Sequence, residues 1–184
     1  KMSKSSGNRI DPLDIQAQYG TDALRLSLIL GNTPGNDMKF SATKVAANRN
    51  FVNKLWNVSR YILSLPTSSD KEEKKLSLAD EWIFDQFNTT VASVNEKFLD
   101  HDYGNAAEEL IKFTRDELAD WYLEIAKIEG GKQDLLNKIL IDLLKLWHPF
   151  APFVTEYIWK QFNASLLIVQ EYPIAAMATP PTNK

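Results

Sequence analysis

Residues 41–63, SATKVAANRNFVNKLWNVSRYIL, read as one long helix, and that reading decides the fold class. Ser41 is a residue type that caps helix N-termini, and Pro66 begins the polar stretch that follows. Successive residues turn by about 100°, so Val45, Val52, Trp56, Ser59 and Leu63 fall on one stripe with Leu55 and Ile62 beside it. That stripe is expected to face a core. The opposite side carries Asn50, Lys54, Asn57 and Tyr61, with Asn53, Arg49 and Arg60 along one flank. Amides and guanidinium groups can read base edges, a ring can stack on a base, and cations meet phosphate, so this face suits single-stranded RNA. A polar helix face is most often only solvated. Asparagine argues against that here, because it is a poor helix former and three on one exposed face cost stability without an evident structural return.

Outward from this helix the punctuation implies more helices. Asp11-Pro12 starts a short one ending near Gly20, and Thr21-Asp22 caps a second running to Gly31. Asn32–Asn36 reads as a Pro/Gly loop, residues 37–40 as a short strand, and Pro66–Lys75 as an outer linker. Ile83, Phe87, Val91, Val94 and Phe98 keep a helical period. A further helix spans about 104–128 with Ala107, Ile111, Leu118, Tyr122 and Ile125 inward, ending at Gly130-Gly131. Leu135–Trp147 is leucine-rich enough to be central, Phe153–Phe162 is the last helix, and Leu166–Tyr172 reads as a strand or extended arm. The expectation is a mainly all-α protein: an antiparallel helical bundle at 41–172, a small α-rich connector at 1–40, and a loosely held tail at 173–184.

The N-terminal stretch Lys1-Met2-Ser3-Lys4-Ser5, continuing through Ser6-Gly7-Asn8 and Ile10-Asp11-Pro12 to Leu30, resembles the ATP-loop region of class I aminoacyl-tRNA synthetases. Asn36–Arg60, with Arg49-Asn50-Phe51-x-Asn53-Lys54-Leu55-Trp56-Asn57, resembles the valyl branch of that family and departs from the isoleucyl and leucyl branches. Arg115-Asp116-Glu117, Asp120–Glu124 and His148–Glu156 extend the resemblance to about residue 173. The resemblance implies that Lys1 and Lys4 are catalytic, stabilising the leaving pyrophosphate, and that Lys4 and Ser5 contact ATP with Mg alongside in the parent enzyme. Removing one such donor typically slows the reaction about a hundred- to thousandfold. Ser6 and Arg9 depart from the commoner family pattern, and Ser6 lowers the loop's charge. The resemblance further implies a helical anticodon-binding domain with tRNA(Val) as partner and Arg49, Asn50, Asn53, Lys54, Asn57, Arg60 and Tyr61 at the RNA.

No GxGxxG or GxxxxGK[ST] run occurs in the 184 residues, and neither His101 nor His148 sits in a Gly-flanked turn. The chain is therefore expected to hold half an active site, to form no adenylate alone and to bind neither ATP nor metal tightly. The formal charge of −3 conceals a polarity: residues 1–60 hold nine Lys and Arg against four acids, a balance of +5 that leaves −8 for the rest. Such a split places a polyanion on one face and repels it elsewhere. With no cysteine and no apolar run near the roughly 20 residues of a membrane span, a monomer in the cytoplasm is the simplest expectation. A rival reading is a protein-interaction module whose basic face meets an acidic partner; within the family, the rival is the isoleucyl branch. Asp116, Glu117 and Asp120 read as a salt-bridged helix surface, Trp121 and Trp147 as packing residues, and His148 as the end of the leucine-rich helix.

Overall fold

Helix initiation follows local chemistry. The computed structural model describes residues 10–32, 40–66 and 76–175, and every regular element among them is helical. Asp11 opens α1 (Pro12–Tyr19): its Oδ1 accepts the Leu13 amide at 2.9 Å, and Pro12 has no N–H to leave unpaired in the first turn. Gly20, at φ 90°, ends α1 and is itself the cap of α2 (Thr21–Ile29). Thr21 and Asp22 lie inside α2 rather than capping it.

The long helix α3 spans Ala42–Ser64, close to expectation, although Ser41 makes no side-chain capping bond. Its buried side differs from the wheel reading. The core residues are Val45, Asn48, Phe51, Leu55, Val58, Ser59 and Ile62, a stripe that keeps the expected Val45, Leu55, Ser59 and Ile62 but is turned from the expected one by roughly 70°. Apolar residues occupy nearly half of this helix, and periodicity alone does not say which part meets the central helix. Phe51 does: its ring lies 4.9 Å from that of the fully buried Trp147. Val52, Trp56 and Leu63 move to a half-buried flank, where Trp56 packs on Tyr157 at 5.2 Å. Asn48 ties α3 to α2 through a buried chain, its amide donating to Ser27 Oγ at 2.9 Å and that hydroxyl donating to the Ala23 carbonyl at 2.7 Å.

A capping box starts α4 (Leu78–Leu99): Ser77 Oγ accepts the Asp80 amide, and the Asp80 carboxylate accepts the Ser77 amide. Ile83, Phe87, Val91 and Val94 are buried as expected, and half-buried Phe98 joins a ring cluster with Tyr103, Phe150 and Tyr172. The next helical run divides into α5 (Tyr103–Lys112), a π-helical stretch (Phe113–Tyr122) and α6 (Leu123–Glu129). Wider i to i+5 turns shift every side chain after their start. Ala107, Leu118 and Tyr122 are buried as expected, but Ile111 and Ile125 are only half-buried, while Leu110, Phe113 and Leu123 fill the interior. The shift also turns Trp121 outward, to 66% exposure, against the expectation of packing.

Central α7 (Gln133–Trp147) buries Leu136, Ile139, Leu140, Leu143, Leu144 and Leu146, and its Trp147 indole donates to Thr114 Oγ1 at 3.0 Å. His148 ends it as anticipated, its Nδ1 lying 2.9 Å from Thr155 Oγ1. The last helix, α8, is Pro152–Trp159. The segment expected as a strand or extended arm instead contains a 3₁₀ turn at Leu167–Val169, seated by buried Leu167 and by the Trp159 indole donating to the Ser165 carbonyl at 2.9 Å. The proposed loop at 32–36 falls largely, and the linker mostly, outside the described residues; the strand at 37–40 is described only at Phe40.

A buried polar network pins the α4 start to the α6–α7 turn. Tyr122 Oη donates to Asp80 Oδ1 at 2.6 Å, and Lys132 Nζ meets Asp80 Oδ2 at 2.6 Å and Glu129 at 2.7 Å. Burial raises the Asp80 carboxyl pKa, but hydrogen bonds from Lys132, Tyr122 and the Ser77 amide more than offset it and hold the group below its ordinary value. Burial and the charged acceptor push the Tyr122 hydroxyl up.

Candidate nucleic-acid interface

The polar face of α3 forms one wall of a groove of about 480 Å³, and the π-helical stretch with α6 forms the other. Asn50, Asn53 and Asn57 are exposed along α3, and Lys54 and Tyr61 lie deeper, half-buried. Five of the seven residues singled out in the sequence are therefore brought together. Arg60 is exposed on the other side, in a hollow of about 370 Å³ with Trp56, Leu63, Ser64 and Tyr157. Exposed Arg49 lines neither. Lys1, Lys4 and Ser5 lie outside the described residues.

The opposite wall supplies what sequence reasoning missed. Asp120 accepts from Lys54 Nζ at 2.6 Å, Glu124 pairs with Lys127 at 2.5 Å, and the Lys127 ammonium sits 5.4 Å from the Tyr61 ring centroid. The groove thus holds two cations and two anions. Its charge is balanced, and its free recognition groups are the three carboxamides, each with two N–H donors and one carbonyl acceptor. Such a set matches base edges better than phosphates. The sequence marks Asp120 as helix surface and the stretch 120–124 as part of the resemblance, but not as a groove wall; that position depends on the π register, for which no simple sequence periodicity exists.

Among the neighbouring acids, Asp116 is paired with Arg115 at 2.5 Å and Glu117 with Lys112 at 3.3 Å. The Arg115 hydrogen bond holds the Asp116 carboxyl below its ordinary value. With Asp120 on Lys54, each member of this acidic run has a cation, as expected of a salt-bridged surface.

A helical bundle of this kind is the fold of a tRNA ligase's anticodon-binding module. The chain belongs to that family: residues 80–183 match the anticodon-binding domain of tRNA ligase, and residues 1–41 match the class I tRNA synthetases of the I, L, M and V group. Its relatives include valine–tRNA ligases. That of Lactobacillus acidophilus is 40% identical over 190 residues, covering 95% of this chain and 22% of the relative. That of Carboxydothermus hydrogenoformans is 42% identical over 172 residues, covering 88% and 20%. The chain therefore spans about a fifth of the length of the relatives it matches. Among solved structures, the Agrobacterium radiobacter K84 agnB2 LeuRS in ternary complex with tRNA and LeuAMS superposes with a TM-score of 0.76 at 20% identity, covering 95% of this chain and 22% of that one. This likeness establishes the fold.

Proposed function

We propose that this chain is the tRNA-binding part of a valine–tRNA ligase, comprising the ATP loop, a connector at 1–40 and an anticodon-binding bundle at 41–172. The observation that carries it is the groove between α3 and the π-helical stretch, where Asn50, Asn53 and Asn57 stand exposed around a charge-balanced floor. The valine–tRNA ligase relatives support the amino-acid assignment, and the LeuRS–tRNA complex supports a tRNA as the partner. In this reading the asparagines contact anticodon-loop bases, with Tyr61 placed to stack. Arg49, Lys54 and Arg60 provide the electrostatic approach. Lys1 and Lys4, with Ser5, serve ATP in the parent enzyme; Mg accompanies the triphosphate there and is not held by this chain. The chain acts as a monomer in the cytoplasm.

The deciding experiment is a gel shift with tRNA(Val) against a non-cognate tRNA at several salt concentrations. Tighter binding of tRNA(Val), weakening as salt rises, is the expected result. Equal binding of both tRNAs, or no competition by tRNA for a retained protein partner, would reject it.

A further inference from the structure

The side of α3 turned away from the groove walls a second hollow, of about 370 Å³, whose other wall is α8 and the turn that follows it. That volume lies within the range of roughly 300–1,000 Å³ found for small-molecule clefts. Two rings line it: half-buried Trp56 and Tyr157, 60% exposed, their centroids 5.2 Å apart and their planes inclined by 54°. Its lining holds Arg60 and no acid. Helix α3 contains no acidic residue, and the single acid of α8, Glu156, accepts the Leu167 amide at 3.0 Å and lies 3.8 Å from Lys160. Exposed Arg60 accordingly forms no ion pair and donates no hydrogen bond among the described residues. The Trp56 indole N–H and the Tyr157 hydroxyl donate to none of them either. Gln161, whose amide donates to the Tyr157 carbonyl at 3.1 Å, keeps its side-chain oxygen as an acceptor.

These free groups select an occupant by chemistry. A cation would be repelled by Arg60, and a purely aliphatic chain would cover the guanidinium without satisfying it. A planar anion meets every group present: a ring stacks on a base, the guanidinium forks onto phosphate, and the amide oxygen and the two ring donors suit the polar edges of base and sugar. Lys54 in the groove is already held by Asp120, whereas Arg60 is open to a phosphate. We propose that this hollow is a single-nucleotide site, separate from the groove, in which a base stacks on Tyr157 beside Trp56 and its phosphate meets Arg60. An unpaired nucleotide of the bound tRNA and a free nucleoside monophosphate both offer this chemistry. The first source rests on the tRNA-binding reading above; the second stands without it.

The test titrates the 184-residue chain with AMP, GMP, CMP and UMP, and with the four matching nucleosides, by calorimetry. At least one monophosphate is expected to bind saturably and its nucleoside more weakly. Arg60→Gln should erase that difference, and Tyr157→Leu should weaken both about fivefold or more, the loss of one stacked base. Both residues are exposed, so neither change disturbs the core. A second arm repeats the titration on chain saturated with tRNA(Val). Exclusion of the monophosphate assigns the site to a tRNA nucleotide, and Arg60→Gln should then lower the salt slope of tRNA binding by about one unit. Simultaneous binding assigns it to the free nucleotide. Loss of tRNA affinity in both variants, with no monophosphate bound, also assigns it to the RNA. Binding that survives both substitutions overturns the proposal, as does an absence of monophosphate binding with tRNA affinity unchanged in both variants. Equal affinity for tRNA(Val) and a non-cognate tRNA, or none for either, rejects the ligase reading instead, and the monophosphate titration still decides the hollow.

Discussion

Lys54 and Asp120 meet at 2.6 Å across the groove, and the pairing changes what each contributes to binding a polyanion. An exposed pair of this kind is worth at most about 1 kcal/mol to the fold, so Asp120→Asn should leave stability nearly unchanged. Releasing the Lys54 charge should, however, tighten binding to every tRNA and steepen the salt dependence by about one unit, measured by filter binding across salt. Unchanged affinity would place the RNA elsewhere. The asparagines should behave differently: alanine at 50, 53 or 57 is expected to narrow the gap between tRNA(Val) and other tRNAs by about 1–3 kcal/mol at one position at least. For the core, Leu55→Ala should cost about 2–5 kcal/mol in urea unfolding, because Leu55 is fully buried, and Trp56→Ala should cost less. The amide face of α3 was legible in the sequence because polar residues cluster there without ambiguity. The rotation of its apolar half was not, since Trp56 and Leu55 look equally suited to a core until the position of Trp147 is known.

Element boundaries were the most readable level, because caps are local chemistry: Asp11-Pro12, Gly20 and Gly130 each start or stop a helix near the position that sequence suggests. The π-helical stretch was unreadable, being a register change imposed by packing with Phe113, Leu118 and Tyr122 all seated inside. Tyr122 is held further by Asp80, and this link gives a pH signature. The folded Asp80 pKa lies below its ordinary value, so its stabilisation is fully present above the unfolded pKa of about 3.9 and is lost as pH falls through the folded value. Asp80→Asn is therefore expected to cost about 3–5 kcal/mol at pH 7 and progressively less below about pH 4, as read from urea midpoints at a series of pH values. A cost independent of pH would show that the carboxylate's charge plays no part.

At the scale of the whole molecule, the positive N-terminal third and the acidic remainder were plain from counting charges, but which surface forms the groove was not, because its second wall comes from residues 66 positions beyond Lys54. The outward turn of Trp121 beside that wall has a practical result. Of the five tryptophans, Trp147 and Trp159 are sealed in the core at 0% and 2% exposure, Trp82 reaches 38%, and Trp121 stands at 66%. The protein consequently carries its own optical reporter one residue from the Lys54–Asp120 pair. Trp121 lines a separate hollow with Leu78, Ala79 and Trp82, so a red-shifted emission component, readily quenched by acrylamide and reduced by Trp121→Phe, should stay unshielded when tRNA fills the groove and report by light, without an attached dye, whatever covers that neighbouring face.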